Sequence, residues 1–254
     1  MISILSNKEE NNSKKSLSFL DHPRSLAGIF STLKKHSLLL YIICQIGQNS
    51  SMSSQKLHLR SLLRSQRQAL DPKQRHQAAI ELAQHFLADP LFANNHNFAL
   101  YIPVNGEMDT QPLLMHCLNV GKHCYLPRLM PQPSKQLCFV QFQKNDSLTV
   151  NRLGIKEPSY NKQKAILPEN LHVVLMPLVA FDNNGNRLGM GAGYYDNTFA
   201  FLQNNTVVKP PRPMLIGLAY DFQEVAQLPK DSWDIPLDGV VTELGVRMFQ
   251  LHHE

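Results

Sequence analysis

The stretch PLVAFDNNGNRLGMGAGYYDNTF, residues 177–199, holds four of the twelve glycines in this 254-residue chain. They are Gly185, Gly189, Gly191 and Gly193, and they lie between an apolar run and a Tyr-Tyr-Asp sequence. A residue without a Cβ atom lets the backbone adopt positive φ and approach another group closely. We therefore expect this backbone to do something that side chains would obstruct.

Strand-like patterns surround this stretch. The run HVVLMPLVAF (172–181) is continuously apolar, which is typical of a central strand covered on both faces. Further strands are predicted at FALYIP (98–103), HCYLPR (123–128), LCFVQF (137–142), PMLIGLAY (213–220) and GVVTE (239–243). With helices between them, these strands predict an α/β fold, a three-layer sandwich with a mostly parallel, Rossmann-like sheet.

Helices are predicted between the strands. A helical pattern begins just after Met52, with leucines on one side and arginines on the other. Asp71 and Pro72 open a second helix as N-cap and first-turn residue, and Asp109 or Thr110 opens a third. A further helix is expected directly after the glycine-rich stretch.

The composition narrows the choice of partners. The net charge is +5, but no run of five or more Lys and Arg occurs, so we expect no nucleic-acid partner. A small anionic ligand accounts for the same surplus of positive charge. The four cysteines show no CxxC spacing and the histidines no HExxH, which favours reduced thiols and no zinc site.

No membrane partner is expected either. The most apolar run of the first part of the chain, LLLYIICQI (38–46), has nine residues, far fewer than the roughly 20 that span a bilayer. It lies too far from the start for a signal peptide and lacks a small-residue cleavage site. These features predict a cytoplasmic protein.

The chain divides near Met52. Residues 1–52 are rich in Ser, Lys and Asn and lack clean periodicity, so we interpret them as an extension that is disordered or not part of the functional chain. An organelle-targeting peptide is the alternative, against which the acidic residues Glu9, Glu10 and Asp21 count. Residues 53–254 are predicted to form a single α/β domain.

The glycine-rich stretch has the chemistry of an anion site. In open α/β sheets, ligands bind beyond the carboxyl ends of the strands, where this stretch would lie. Gly189, Gly191 and Gly193 would let successive N–H groups face one anion, and Arg187 would add a guanidinium. A helix starting near Tyr194 would add the positive end of its dipole. Neither GxxxxGK[ST] nor GxGxxG is present, and a glycine-rich turn without a ligand remains open.

The segment MPLVAFDNNGNRLGMGAGYYD (176–196) resembles the signature of the 5-formyltetrahydrofolate cyclo-ligase family, also called 5,10-methenyltetrahydrofolate synthetases. The similarity extends in register from about residue 55 to residue 243. It includes KLHLR (56–60), YIPVNGEMDTQPLL (101–114), YLPR (125–128), IKEP (155–158) and IGLAYDFQEVAQLPKDSWDIPLDGVVTE (216–243).

The resemblance implies a reaction and its partners. It implies ATP-dependent conversion of 5-formyltetrahydrofolate to 5,10-methenyltetrahydrofolate, with release of ADP and phosphate, through a phosphorylated formyl intermediate. ATP and Mg²⁺ would be the cofactors and a reduced folate the substrate of a monomeric enzyme. The formyl oxygen is a poor leaving group, and phosphorylation converts it into phosphate, so the protein mainly positions groups and stabilises charge.

The resemblance also assigns roles to individual residues. It implies that substrate contacts come from Ile102, Glu107 and Tyr194, and Mg²⁺ ligands from Asp196 and Asp234. The residues that it implies for ATP binding are Lys56, Arg60, Arg187, Leu188, Gly189, Met190, Gly191, Ala192, Gly193, Tyr194 and Tyr195. The chain departs from the family at Ala192, where Gly or Lys is usual, and alanine would be strained there if the backbone needed positive φ.

Two other functions remain open. One is a related α/β enzyme that acts on sugar phosphates or thioesters and uses the glycine-rich stretch for a phosphate without ATP hydrolysis. The other is a non-catalytic folate- or RNA-binding module. The joint presence of Glu107, Arg187 and Asp196 with the Lys56 and Arg60 pair favours the cyclo-ligase.

Overall fold

The computed structural model of the protein describes residues 51–203 and 212–250. The helices are α1 (Met52–Ala69), α2 (Pro72–Ala88), α3 (Pro90–Ala93), α4 (Gln111–Asn119) and α5 (Tyr194–Phe199). The first six strands are β1 (Asn97–Ala99), β2 (His123–Leu129), β3 (Leu137–Phe142), β4 (Leu148–Val150), β5 (Lys156–Pro158) and β6 (Ala165–Ile166). The others are β7 (Val173–Pro177), β8 (Ala180–Phe181), β9 (Arg187–Leu188), β10 (Met214–Leu218), β11 (Gly239–Thr242) and β12 (Gly245–Met248).

Eight strands form the central sheet, in the order β12-β11-β10-β7-β1-β2-β3-β6. The five inner strands from β11 to β2 run parallel, whereas β12, β3 and β6 are antiparallel to their neighbours. Strand β7 lies in the middle, between β1 and β10, and all its residues but the last are buried. The predicted central strand and the predicted mostly parallel sheet are both confirmed.

The sheet is covered on both faces. Successive residues of β7 alternate between two separate hydrophobic clusters, as the two-residue period of a strand requires: Val173 belongs to one and Val174 to the other. The first cluster contains the apolar sides of α2 and α4, including Phe86 and Leu113. The second contains Phe199 of α5. Helix layers on both faces confirm the predicted three-layer α/β fold.

Local sequence signals explain where the helices begin. The Asp71 side chain accepts a hydrogen bond from the N–H of Gln74, and the Gln74 side chain accepts one from the N–H of Asp71. Pro72 lies in the first turn of α2. Helix α1 begins at Met52, as predicted. Helix α4 begins after Thr110, and Gly193, with φ 73°, precedes α5.

The structure corrects the strand predictions at two places and adds a strand to them. The strand predicted at 98–103 ends at Ala99. The apolar run 172–181 is not one strand, because the sheet strand ends at Pro177 and Ala180–Phe181 pairs with β9 in a separate hairpin. The side-chain amide of Gln223 binds the carbonyl oxygens of Leu178 and Val179, so these groups are unavailable to the sheet. The chain also continues after β11 with the antiparallel strand β12, which the sequence did not predict.

The predicted extension 1–52 lies outside the described residues except for its last two positions, and the division of the chain at Met52 stays a prediction. Among the residues that the structure describes, no helix is both long and apolar enough to cross a membrane.

Candidate active site

A cavity of about 910 Å³ opens at the carboxyl ends of the parallel strands. Tyr101 and Ile102, which follow β1, line it together with Pro127 of β2 and with Pro177 and Leu178 at the end of β7. Ligands of open α/β sheets bind at this edge, so the cavity lies where the fold favours a site.

The glycine-rich stretch forms one wall of this cavity. Gly191 and Gly193 have φ values of 103° and 73°, a backbone conformation that favours glycine. Ala192 between them does not have positive φ, because Asn105 is the one non-glycine residue with positive φ in the described ranges. The alanine at this position is therefore unstrained. Gly193 also places its N–H at the start of α5.

Two cationic side chains of helix α1, Lys56 and Arg60, belong to the same wall. Lys56 Nζ lies 2.6 Å from Asp231 and 2.9 Å from the Asp234 carboxylate. Burial lowers the pKa of Lys56, but its hydrogen bonds to both carboxylates outweigh this effect and raise the pKa overall. One turn later, Arg60 Nε donates to the carbonyl oxygen of Gly189 at 2.9 Å. The predicted pair therefore shares one helical face and fixes the glycine-rich stretch to α1.

A second ion pair links the two ends of the glycine-rich stretch. Arg187 Nη2 lies 2.6 Å from the Asp196 carboxylate, and the Arg187 side chain is only 5% exposed. The same carboxylate oxygen accepts the N–H of Ile235 at 3.2 Å. Arg187 Nε is buried and has no hydrogen-bond partner among the described residues.

A buried carboxylate, Glu107, also lines the cavity. Glu107 is 7% exposed and accepts a hydrogen bond from the N–H of Val104 at 3.1 Å. Burial raises the pKa of Glu107, while this hydrogen bond and the charges of Arg67 and Arg64 oppose the rise. Tyr195 also lines this part, and burial raises the pKa of its hydroxyl. The site thus combines a buried acid with the cations Lys56, Arg60 and Arg187 in the lining of one cavity.

All the residues that the resemblance implies for the site line this one cavity. Asp231, three residues before Asp234, was not predicted from the sequence, although both aspartates pair with Lys56. Trp233, which lines the cavity beside them and is largely exposed, was not predicted either. Carboxylates at this spacing within a polar loop are the signal that was available for Asp231. The turn between β4 and β5 and the first residue of β5 also line the cavity without having been predicted, through Asn151, Leu153, Gly154, Ile155 and Lys156.

The carboxylates suit a metal that is shared with a ligand. Within residues 51–203 and 212–250, no group of three or more His, Cys, Asp or Glu side chains could hold a metal ion. Asp196 and Asp234 both line the cavity, each paired with a cation. Mg²⁺ usually takes one or two carboxylates and completes its shell with phosphates and water. Two carboxylates beside a cationic, glycine-rich wall fit that donor set.

A cavity at the carboxyl ends of parallel strands is typical of α/β proteins that bind small-molecule ligands. The model of the 5-formyltetrahydrofolate cyclo-ligase family matches residues 52–243. The 5-formyltetrahydrofolate cyclo-ligase of Escherichia coli K12 is 39% identical over 181 residues, which cover 71% of this chain and 96% of that protein. The Haemophilus influenzae 5-formyltetrahydrofolate cyclo-ligase is 37% identical over 187 residues, covering 73% and 97%.

Solved structures agree with the sequence comparison. The NMR structure of Aquifex aeolicus 5,10-methenyltetrahydrofolate synthetase superimposes with a TM-score of 0.63 and 31% identity, and it covers 78% of this chain and 98% of that one. The chain belongs to the 5-formyltetrahydrofolate cyclo-ligase family, which is a family of enzymes. The resemblance read from the sequence is confirmed.

Proposed function

We propose that this protein closes the ring of 5-formyltetrahydrofolate to 5,10-methenyltetrahydrofolate and uses ATP to do so, releasing ADP and phosphate. Membership of the cyclo-ligase family supports the folate reaction. The observation that carries the ATP requirement is one cavity lined both by a cationic, glycine-rich wall and by a buried carboxylate, Glu107.

The glycine-rich wall is proposed to bind the nucleotide. Lys56, Arg60 and Arg187 supply positive charge, and the backbone from Leu188 to Tyr195 supplies N–H donors to phosphate oxygens. Asp196 and Asp234 would hold Mg²⁺ against the same phosphates. When bound, that ion would neutralise charge that develops on the transferred phosphoryl group.

The part of the cavity around Glu107 is proposed to bind the folate. The Glu107 carboxylate has acceptor capacity for the donor edge of a pterin ring, and its burial strengthens such hydrogen bonds. Ile102 would contact the ring through its apolar side chain, and Tyr194 would border the folate on the glycine-rich side. Both assignments come from the resemblance and agree with the lining of the cavity.

The proposed chemistry needs the two ligands side by side. The formyl oxygen of the folate attacks the terminal phosphorus of ATP, the bond to the bridging oxygen breaks, and ADP leaves. The neighbouring amine nitrogen then attacks the formyl carbon and loses its proton. Phosphate departs from that carbon, and the five-membered methenyl ring is the product. The enzyme's contribution is to hold oxygen and phosphorus in contact and to surround the transferred charge with cations.

The experiment is to mix the purified protein with 5-formyltetrahydrofolate, Mg²⁺ and ATP and to follow the absorbance of the methenyl product. We expect product and ADP to appear in equal amounts and neither to form without nucleotide. Product formation without ATP would contradict the ATP requirement. A folded protein that forms no product would instead favour the alternative of an α/β enzyme acting on sugar phosphates or thioesters. Monomeric state, cytoplasmic localisation and the lack of nucleic-acid and membrane partners stay predictions.

A further inference from the structure

A buried arginine lies behind the wall that carries Glu107. Arg67, in the last turn of α1, is 1% exposed and does not line the cavity. This burial departs from the prediction that the arginines of α1 form its solvent side. A cation is expensive to remove from water unless its donors are used, so a fully buried guanidinium needs a structural or functional reason.

The contacts of Arg67 join two loops at the strand ends. Its Nε donates to the carbonyl oxygen of Asn105 at 3.2 Å, and its Nη1 donates to that of Leu178 at 3.1 Å. Asn105 lies in the turn after β1, and Leu178 lies just after β7; both residues line the cavity or its edge. Arg67 therefore fixes the spacing of these loops without touching a ligand.

The turn that Arg67 fixes also shapes the position of Glu107. Asn105 and Gly106 have positive φ, and the Glu107 N–H closes the turn onto the Val104 carbonyl at 3.0 Å. A Cβ added at Gly106 would lie 3.2 Å from the Arg67 carbonyl oxygen, so the turn packs directly on the arginine. The charges of the two side chains also interact: Arg67 counteracts the effect of burial on the pKa of Glu107.

We infer that Arg67 is a positioning residue for Glu107, the carboxylate proposed to contact the folate. It holds the Val104–Glu107 turn against the end of β7 and keeps Glu107 aimed into the cavity. This inference rests on the proposed function, in which Glu107 contacts the folate. It assigns a role in folate recognition to a side chain that no ligand reaches. Nη2 of Arg67 is buried and has no hydrogen-bond partner in the described part of the chain.

The test compares the two substrates in one assay. For Arg67→Gln we expect KM for 5-formyltetrahydrofolate to rise about tenfold or more, the scale of losing hydrogen bonds to a charged group. KM for ATP should stay within about twofold, because the cationic wall does not contact Arg67. Arg67→Lys keeps the charge but not the planar set of donors, so its KM for 5-formyltetrahydrofolate should lie between those of the wild type and Arg67→Gln. Arg75→Gln, a half-buried arginine of α2 outside the cavity, is the matched control and should change neither KM.

A double-mutant cycle separates positioning from general stability. If Arg67 acts through Glu107, adding Arg67→Gln to Glu107→Gln should raise the folate KM little beyond that of Glu107→Gln alone. Equal rises in both KM values, additive effects in the cycle, or unfolding of both Arg67 variants would overturn the inference, because Arg67 would then serve the fold as a whole. A wild-type protein without cyclo-ligase activity would instead overturn the proposed function.

Discussion

Arg187 and Asp196 form a nearly buried ion pair across the glycine-rich stretch, with 2.6 Å between the guanidinium and the carboxylate. The two residues flank the backbone from Leu188 to Tyr195, so their attraction closes the stretch into a loop beside the cavity. Both are also proposed ligands, one for phosphate and one for Mg²⁺. The pair would then hold the loop together until phosphate and metal replace each partner's contact.

Removing either partner of this pair should cripple turnover. We expect Arg187→Ala and Asp196→Asn each to lower kcat/KM for ATP by about 10²-fold or more, since each removes charge that would stabilise phosphoryl transfer. Steady-state kinetics with varied ATP provide the measurement. Arg247→Ala is the matched control, because its ion pair with Glu224 is more exposed and lies outside the cavity. A variant of Arg187 with normal kinetics would contradict the assigned role.

Glu107→Gln should weaken folate binding but stabilise the protein at neutral pH. Burial raises the pKa of Glu107, so the native state binds more protons than the unfolded chain between the two pKa values. Stability contributed by this group is therefore present at low pH and is lost as pH rises through that interval, at about 1.4 kcal/mol per unit of pKa shift.

Thermal unfolding as a function of pH checks this sign. The melting temperature of Glu107→Gln should exceed that of the wild type at pH about 7, and the difference should shrink towards pH about 4, where the unfolded carboxyl is also protonated. The folate KM should rise in the same variant. A lower melting temperature at neutral pH, or an unchanged folate KM, would count against this account of Glu107.

Alanine at Gly191 should be harmful, whereas alanine at Gly189 should be tolerated. Gly191 has φ 103°, and forcing a residue with a Cβ into this region costs roughly 1–3 kcal/mol. Gly189 does not have positive φ, and an added Cβ would lie 3.7 Å from its nearest neighbour, an ordinary contact. Urea unfolding should distinguish the two variants; equal free energies of unfolding would show that the conformation of Gly191 is not the reason for its glycine.

A chain that starts at Met52 should fold and remain active. Helix α1 begins there, and the cap that would be lost is a 3.4 Å contact from the Ser54 N–H to Ser51 Oγ, worth about 1 kcal/mol at most. Its melting temperature and ring-closing rate should match those of the full chain closely. A chain that starts at Ser61 is the control, since it lacks Lys56 and Arg60 and should have lost activity. An inactive chain from Met52 would show that the preceding residues are needed.

Features with local causes were predictable from the sequence. The start of α2 follows from Asp71 and Pro72, and β3 has the predicted bounds Leu137–Phe142, where Gln141 alone interrupts the apolar residues. The end of β7 was not predictable in this way. It depends on Gln223, which is more than forty residues further along the chain and binds the carbonyls of Leu178 and Val179.

The site was predictable only where a motif marked it. The glycine spacing pointed to the glycine-rich wall, and the resemblance supplied Glu107, Asp196 and Asp234, which all line the cavity. Arg67 could not be found from the pattern of α1, because an arginine on a leucine-rich helix normally lies in water. Its burial depends on the turn after β1, which packs over it only in the folded protein.

The attachment of Lys56 to Asp231 and Asp234 joins positions 175 and 178 residues apart. A growing polypeptide on the ribosome has α1 long before it has those two aspartates. Lys56 therefore cannot form these two ion pairs until almost the whole chain has been translated. Catalytic competence should then arise as a late event of biosynthesis, and a prematurely terminated product would have most of the sheet but an open, unfinished site.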